Sequence, residues 1–243
     1  MNDDGYFDEA AAERYDEFSG SMFDPEKVDP VVDFLADLAE GGSLLELGVG
    51  TGRIALPLVR RGLEVDGIDM SVAMTDRLRS KGDGDKVGIT IGDFASFSTG
   101  KKYSVAYLVF NTIMNLTTQE AQVACFQNVA NHLEPGGLFV IEVSIPKLQR
   151  LPVGETIRPY KMTDSRMSFD EYSVADQGLI SHHFTLTDGI WDRMSIPFRY
   201  VWPDELNLMA RLAGMSLYGR WSGWKQEPFT NDSETLVAVW QKP

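Results

Sequence analysis

Cysteine, histidine and positive charge are scarce in this chain of 243 residues, and each shortage excludes something. A single cysteine, Cys125, rules out an internal disulfide and a cysteine-held iron–sulfur cluster. Its helical, apolar surroundings read as core. Three histidines, His132, His182 and His183, leave few candidates for acid–base chemistry. No His/Asp/Glu spacing calls for a metal. No apolar run approaches the length of a bilayer span, and the polar, acidic start Met1-Asn2-Asp3-Asp4-Gly5 is unlike a secretory leader. A cytoplasmic, membrane-free protein is therefore expected. Lys and Arg number 22 against 36 Asp and Glu, for a net charge of −14. The first 40 residues hold thirteen acids against Arg14 and Lys27, a balance of −11, which leaves −3 for the rest. With no basic stripe, nucleic-acid binding is disfavoured, because phosphate neutralisation supplies most of its affinity.

The length accommodates one α/β domain, read as 1–243. Its centre is Leu44-Leu45-Glu46-Leu47-Gly48-Val49-Gly50-Thr51-Gly52-Arg53-Ile54, a short apolar strand turning through alternate glycines into a helix. Such turns bring a ligand to the backbone at the edge of an α/β sheet. A dinucleotide fingerprint would need glycine at 53, where this chain has Arg53. Asp69, nineteen residues past Gly50, closes the next apolar run, where a ribose-binding carboxylate belongs.

Further segments follow in order. They are Gly67-Ile68-Asp69-Met70-Ser71, Ile91-Gly92-Asp93-Phe94, a fourth strand from Tyr103 to Asn111, and Leu133-Glu134-Pro135-Gly136-Gly137 leading into a fifth. With the Glu-Leu-Gly-Val-Gly-Thr-Gly loop, this series resembles the class I S-adenosylmethionine-dependent methyltransferases, in particular the natural-product and amino-sugar tailoring branch. The resemblance implies a Rossmann-like, doubly wound seven-stranded sheet with an antiparallel C-terminal hairpin, and S-adenosylmethionine as cofactor. It further implies a cofactor site of Tyr15, Glu46, Gly48, Gly50, Gly52, Asp69, Met70, Asp93, Phe94, Phe110 and Asn111. There Asp69 takes the ribose hydroxyls, Met70 lies against adenine, Asp93 and the Phe94 N–H meet the adenine edge, and Phe110 and Asn111 lie beneath the sulfonium. Tyr15 would reach the methionyl carboxylate, or else simply pack.

Around that core (30–144), residues 1–28 are expected to form a lid helix with Phe7, Ala11, Tyr15 and Phe18 on one side. A second helix should follow Asp29-Pro30, and others should span 52–61, 71–80 and Thr118 to His132. His132, in the last helical turn, suits the helix dipole better than catalysis. Segments 168–174, 179–186 and 190–200 predict an antiparallel flap within 145–200. A helix from Pro203 and strands near 215–222 and 234–241 complete the chain.

Methyl transfer is an in-line displacement, and alignment alone contributes roughly 7–11 kcal/mol in good intramolecular models. A hydroxyl acceptor benefits from a base, whereas an amine needs little more than positioning. His182 and His183 on the flap and Glu142 at the end of strand five are the candidate catalytic residues. For each, a hydrogen-bonded structural role stands beside the catalytic one. The late aromatics suit a small-molecule acceptor that is aromatic or amine-bearing. After strand four the chain reads Asn111-Thr112-Ile113-Met114, not the Pro-Pro motif of base-methylating enzymes. A monomer or homodimer is expected. The alternative from a different class is an S-adenosylmethionine-binding regulatory protein without turnover.

Overall fold

The computed structural model describes Glu9, Ala12, Tyr15 and residues 20–243. Glu9, Ala12 and Tyr15 are helical, whereas Phe7, Ala11 and Phe18 of the expected lid lie outside the described residues.

Strands β1 (Leu44–Leu47), β2 (Val65–Asp69), β3 (Gly88–Ile91), β4 (Tyr103–Leu108), β5 (Leu133–Ser144), β10 (Ser216–Trp221) and β11 (Thr235–Gln241) form one sheet in the order β10-β11-β5-β4-β1-β2-β3. The five strands from β5 to β3 are parallel, β11 runs antiparallel to β5, and the edge strand β10 runs antiparallel to β11. Helices α1 (Pro25–Ala39), α2 (Ala55–Arg60), α3 (Val72–Arg79), α4 (Gln119–His132) and α5 (Pro203–Leu212) cover it. Period-two alternation along the strands divides the core into two layers. Leu44, Val105, Val140 and Val237 pack with Val32 and Leu35 of α1 and Leu58 of α2. Leu45, Ala106, Phe139 and Ala238 pack with Phe126 of α4 and Met209 of α5.

Local chemistry sets most boundaries. Ser71 caps α3 through the Met74 N–H at 3.1 Å, and Thr118 caps α4 through the Ala121 N–H at 3.1 Å. Pro25 opens α1 from its first turn, and left-handed Glu40 and Gly41 close it. The helix thus starts five residues before the expected Pro30, which instead lies inside it. Pro30 gives up one bond to the Glu26 carbonyl without stopping the helix, because Val31, Val32, Phe34 and Leu35 bury their face on the sheet. Helix α2 begins only at Ala55, after Gly52 turns left-handed at φ +81°. His132 accepts the Thr99 N–H at Nε2 (3.2 Å) and its Nδ1 lies 2.8 Å from the Asn128 carbonyl oxygen, so the imidazole staples α4 to the loop before β4.

Between β5 and α5 stands a second, antiparallel sheet of β6 (Ile157–Met162), β7 (Arg166–Ser173), β8 (Gly178–Thr187) and β9 (Ile190–Arg199), in that order. Three of its strands are the expected flap. Strand β6 was not expected. It is an exposed edge broken by a bulge after Pro159, and such an edge carries no apolar alternation to read.

Candidate functional site

Strand order reverses between β1 and β4, so the carboxyl ends of these two strands flank the crevice where open α/β sheets bind ligands. Gly48, Gly50 and Gly52 bring the loop over that edge, all with positive φ (+74°, +52° and +81°). A Cβ on Gly48 would lie 2.6 Å from the Thr112 methyl group, so the glycine lets the loop rest directly against the turn after β4.

Asp69, at the end of β2, ties the loop down. Its carboxylate accepts the Gly50 N–H at 2.7 Å and the Ser71 N–H at 2.8 Å. Met70 follows, half-buried. Asp93 caps its own turn through the Ala95 N–H at 2.8 Å, and Phe94 is buried against the core.

Glu46 is buried on the strand beneath the loop. Its direct neighbour on β4, Tyr107, donates its hydroxyl at 3.0 Å. Burial raises the Glu46 carboxyl from 4.5 to about 8 against the Tyr107 hydrogen bond and the nearby Arg53 charge. A carboxyl raised in this way holds its proton longer folded than unfolded. Its contribution to stability is therefore full below 4.5 and lost as pH rises through about 8. Glu46→Gln removes the ionisation, so the variant gains on the wild type as pH rises from about 5 to about 9, by on the order of a few kcal/mol. Melting temperatures of both proteins across that range provide the check. Parallel curves would show that Glu46 does not titrate there.

Strand β4 ends at Leu108, short of the expected Asn111, because Phe110 and Asn111 both turn left-handed (φ +58° and +62°). Asn tolerates that conformation, but Phe does not without support. The Phe110 N–H donates to Glu142 Oε2 at 2.8 Å, the Asn111 N–H to the Glu142 carbonyl at 3.2 Å, and the Ser144 N–H to Asn111 Oδ1 at 2.6 Å. Phe110 is 43% exposed, and its ring lies 5.1 Å below the Arg53 guanidinium, which also reaches the Met22 carbonyl. Glu142 Oε1 accepts the Trp224 indole N–H at 2.8 Å.

A cleft of about 310 Å³ opens beside these groups. Glu26 and Val31 of α1, Arg53, Glu142 and Trp224 line it. The structure thus brings Glu46, the three glycines, Asp69, Phe110, Asn111 and Glu142 to one edge of the sheet. Tyr15 is helical and half-buried.

The two flap histidines are placed differently, since among the described residues their hydrogen bonds and ring contacts are to flap residues. His182 is buried, with Nδ1 2.8 Å from Ser195 Oγ, Nε2 3.2 Å from Glu171 Oε2, and its ring 4.8 Å from that of Phe169. His183 lies on the opposite face of β8 among Tyr160, Ser168 and Ser181, at 3.3–3.5 Å. Burial holds His183 below the usual imidazole value, with His182 and Lys161 adding to the effect, so it is neutral at neutral pH. Arg53, Tyr107 and Trp224 were not among the expected site residues. For Arg53 the signal was its place directly after the third glycine. The other two are joined to Glu46 and Glu142 only by strand pairing and chain return.

A seven-stranded sheet reversing at β1 and β4, with a glycine loop pinned by an acid on β2, defines a nucleoside-cofactor transferase. The chain belongs to the class I S-adenosylmethionine-dependent methyltransferases, and residues 44–137 match the family model of a methyltransferase domain. It is similar to the CcbJ methyltransferase of Streptomyces caelestis, with 34% identity, coverage of 96% of both chains and a TM-score of 0.85. It is also similar along the whole length of both chains to the cypemycin N-terminal methyltransferase of a Streptomyces species, at 26% identity. A third similarity, at 30% identity, covers 42% of this chain and 43% of the dTDP-3-amino-3,4,6-trideoxy-alpha-D-glucopyranose N,N-dimethyltransferase of Streptomyces venezuelae. Among the described residues, no helix is long and apolar enough to cross a membrane.

Proposed function

We propose that the protein methylates a heteroatom of a small acceptor, an amine nitrogen before a hydroxyl oxygen. The observation that carries this reading is the match to an N-terminal methyltransferase along the whole of both chains, flap region included. The amino-sugar N,N-dimethyltransferase similarity supports it over 42% of this chain.

The glycine loop suits an adenosyl ligand that approaches the backbone, since Gly48, Gly50 and Gly52, all with positive φ, present backbone rather than side chains at this edge of the sheet. Asp69, at the end of β2 beneath the loop, would take the ribose hydroxyls beside the Gly50 and Ser71 N–H groups. Met70 would lie against adenine, Asp93 and Phe94 at its edge, and Phe110 and Asn111 near the sulfonium. Tyr15 would meet the methionyl carboxylate. Glu46, kept largely protonated by burial, becomes a better anion as the cationic methionyl end approaches. When bound, S-adenosylmethionine supplies an electrophilic methyl group. The chain's task is to hold an acceptor lone pair in line with it. A neutral amine needs no strong base for this step, which agrees with flap imidazoles bonded within their own sheet. For a hydroxyl acceptor, neutral His183 is the proposed base.

The test is methyl transfer from isotopically labelled S-adenosylmethionine to a panel of primary and secondary amines matched with hydroxyl analogues. Label entering amines alone is the expected result. Label entering only hydroxyls would overturn the preference for nitrogen. His183→Gln should then abolish transfer, whereas with amines it should change the rate less than about tenfold.

A further inference from the structure

Glu142 stands where strand five meets the crevice, and both oxygens of its carboxylate hold donors from segments far apart in the chain. Oε2 takes the Phe110 N–H at 2.8 Å and Oε1 the Trp224 indole N–H at 2.8 Å, spanning 32 and 82 residues. One donor belongs to a turn that needs support, since Phe110 is left-handed. The other belongs to the segment between β10 and β11, and its ring packs edge-on against Phe34 of α1 at 5.5 Å. Glu142 and Trp224 both line the cleft, together with Arg53, whose guanidinium lies over the Phe110 ring.

We infer that Glu142 is a positioning residue: its carboxylate clasps Phe110 and Trp224 together, fixing the left-handed turn at the proposed methyl-donor end of the crevice and the wall of the adjoining cleft as one unit. This inference rests on the proposed methyl transfer. It assigns Glu142 no proton transfer, because the geometry uses both oxygens as acceptors of fixed N–H groups. A glutamine is nearly isosteric but has one acceptor oxygen, so its amide N–H₂ would face one of the two donors. The clasp therefore opens at one of its two ends in Glu142→Gln, and at the indole end in Trp224→Phe.

The experiment reads two quantities on the full chain: hydrogen–deuterium exchange of the peptide covering residues 109–115, and calorimetric affinity for S-adenosylhomocysteine. Glu142→Gln should accelerate exchange at Phe110 and weaken binding, each by about tenfold. Trp224→Phe should do the same to a smaller extent. In the double variant the effects should be less than additive, because one clasp cannot be opened twice. Glu142→Asp, which keeps two acceptors, guards against a variant that fails to fold and should recover part of both readouts. Wild-type exchange and affinity in Glu142→Gln, or strictly additive effects in the double variant, overturn the clasp while leaving the methyl-transfer reading intact. A wild-type protein that does not bind S-adenosylhomocysteine overturns that reading, and this inference with it.

Discussion

Asp69→Ala is expected to weaken S-adenosylhomocysteine binding by about 1.5–3 kcal/mol, roughly 10- to 150-fold in Kd, with the fold retained. The carboxylate acts at two levels. It holds the Gly50 and Ser71 N–H groups at 2.7 and 2.8 Å, which sets the path of the glycine loop and the entry to α3. In the proposed complex it also takes the ribose hydroxyls. Asp69→Asn separates the two levels: one carbonyl oxygen can keep one backbone donor, but the amide group presents hydrogens to the other. Its loss should therefore fall between wild type and alanine if the loop matters, and equal alanine's if only the charge does. Calorimetric titration of the three proteins is decisive. Unchanged affinity in Asp69→Ala would remove Asp69 from the site altogether, and with it the reading of the loop.

What could be read in the chain was local. The glycine loop, the acids closing β2 and β3 and the caps at Ser71 and Thr118 depend on residues within a few positions of one another, where turn chemistry and apolar periodicity act directly. The parallel sheet and its antiparallel edge were implied by the family resemblance that those pieces carry. The missed features were those made by return of the chain. Nothing near Phe110 announces a left-handed backbone, which is imposed by Glu142 and Ser144 across 32 and 33 residues. Proline misled twice. Pro30 suggested a helix start that Pro25 already provides, and Pro159 hid an edge strand that tolerates it. On the flap, neighbouring His182 and His183 take opposite faces of β8, as period two requires, but period two could not show that, among the described residues, the contacts of both stay within the flap sheet.

The largest loss of stability is expected from Arg199→Ala, at the root of that flap. The Arg199 side chain is 6% exposed and the Glu205 side chain 14%, and their N–O separation is 2.7 Å. Arg199 also donates to Gln122 Oε1, while Gln122 Nε2 donates to the Ile113 carbonyl in the turn following Asn111. The second oxygen of Glu205 accepts from Gln177, which also holds the Tyr200 carbonyl. The cluster thus fastens β9, α4, α5 and the turn at the crevice to one another. Removing the cation leaves a half-buried carboxylate with only its Gln119 and Gln177 donors, which costs up to about 3–5 kcal/mol and lowers the melting temperature by up to about 6–20 °C. Burial, the largest influence, pushes the Glu205 carboxyl up, but the hydrogen bonds from Arg199, Gln177 and Gln119 together bring it below its ordinary value. A lowered carboxyl adds stability above its unfolded value of 4.5 and loses it as pH falls through the folded value. Without Arg199 the balance tips toward burial. The deficit of Arg199→Ala should therefore be greatest near neutrality and shrink on acidification, as Glu205 takes up a proton. Arg199→Met combined with Glu205→Leu removes both charges from the same volume and should recover most of the loss. Thermal melts of the single and double variants across the acid range test this. A single variant within a degree or two of wild type, or a deficit that does not change with pH, would mean that apolar packing alone holds the flap root.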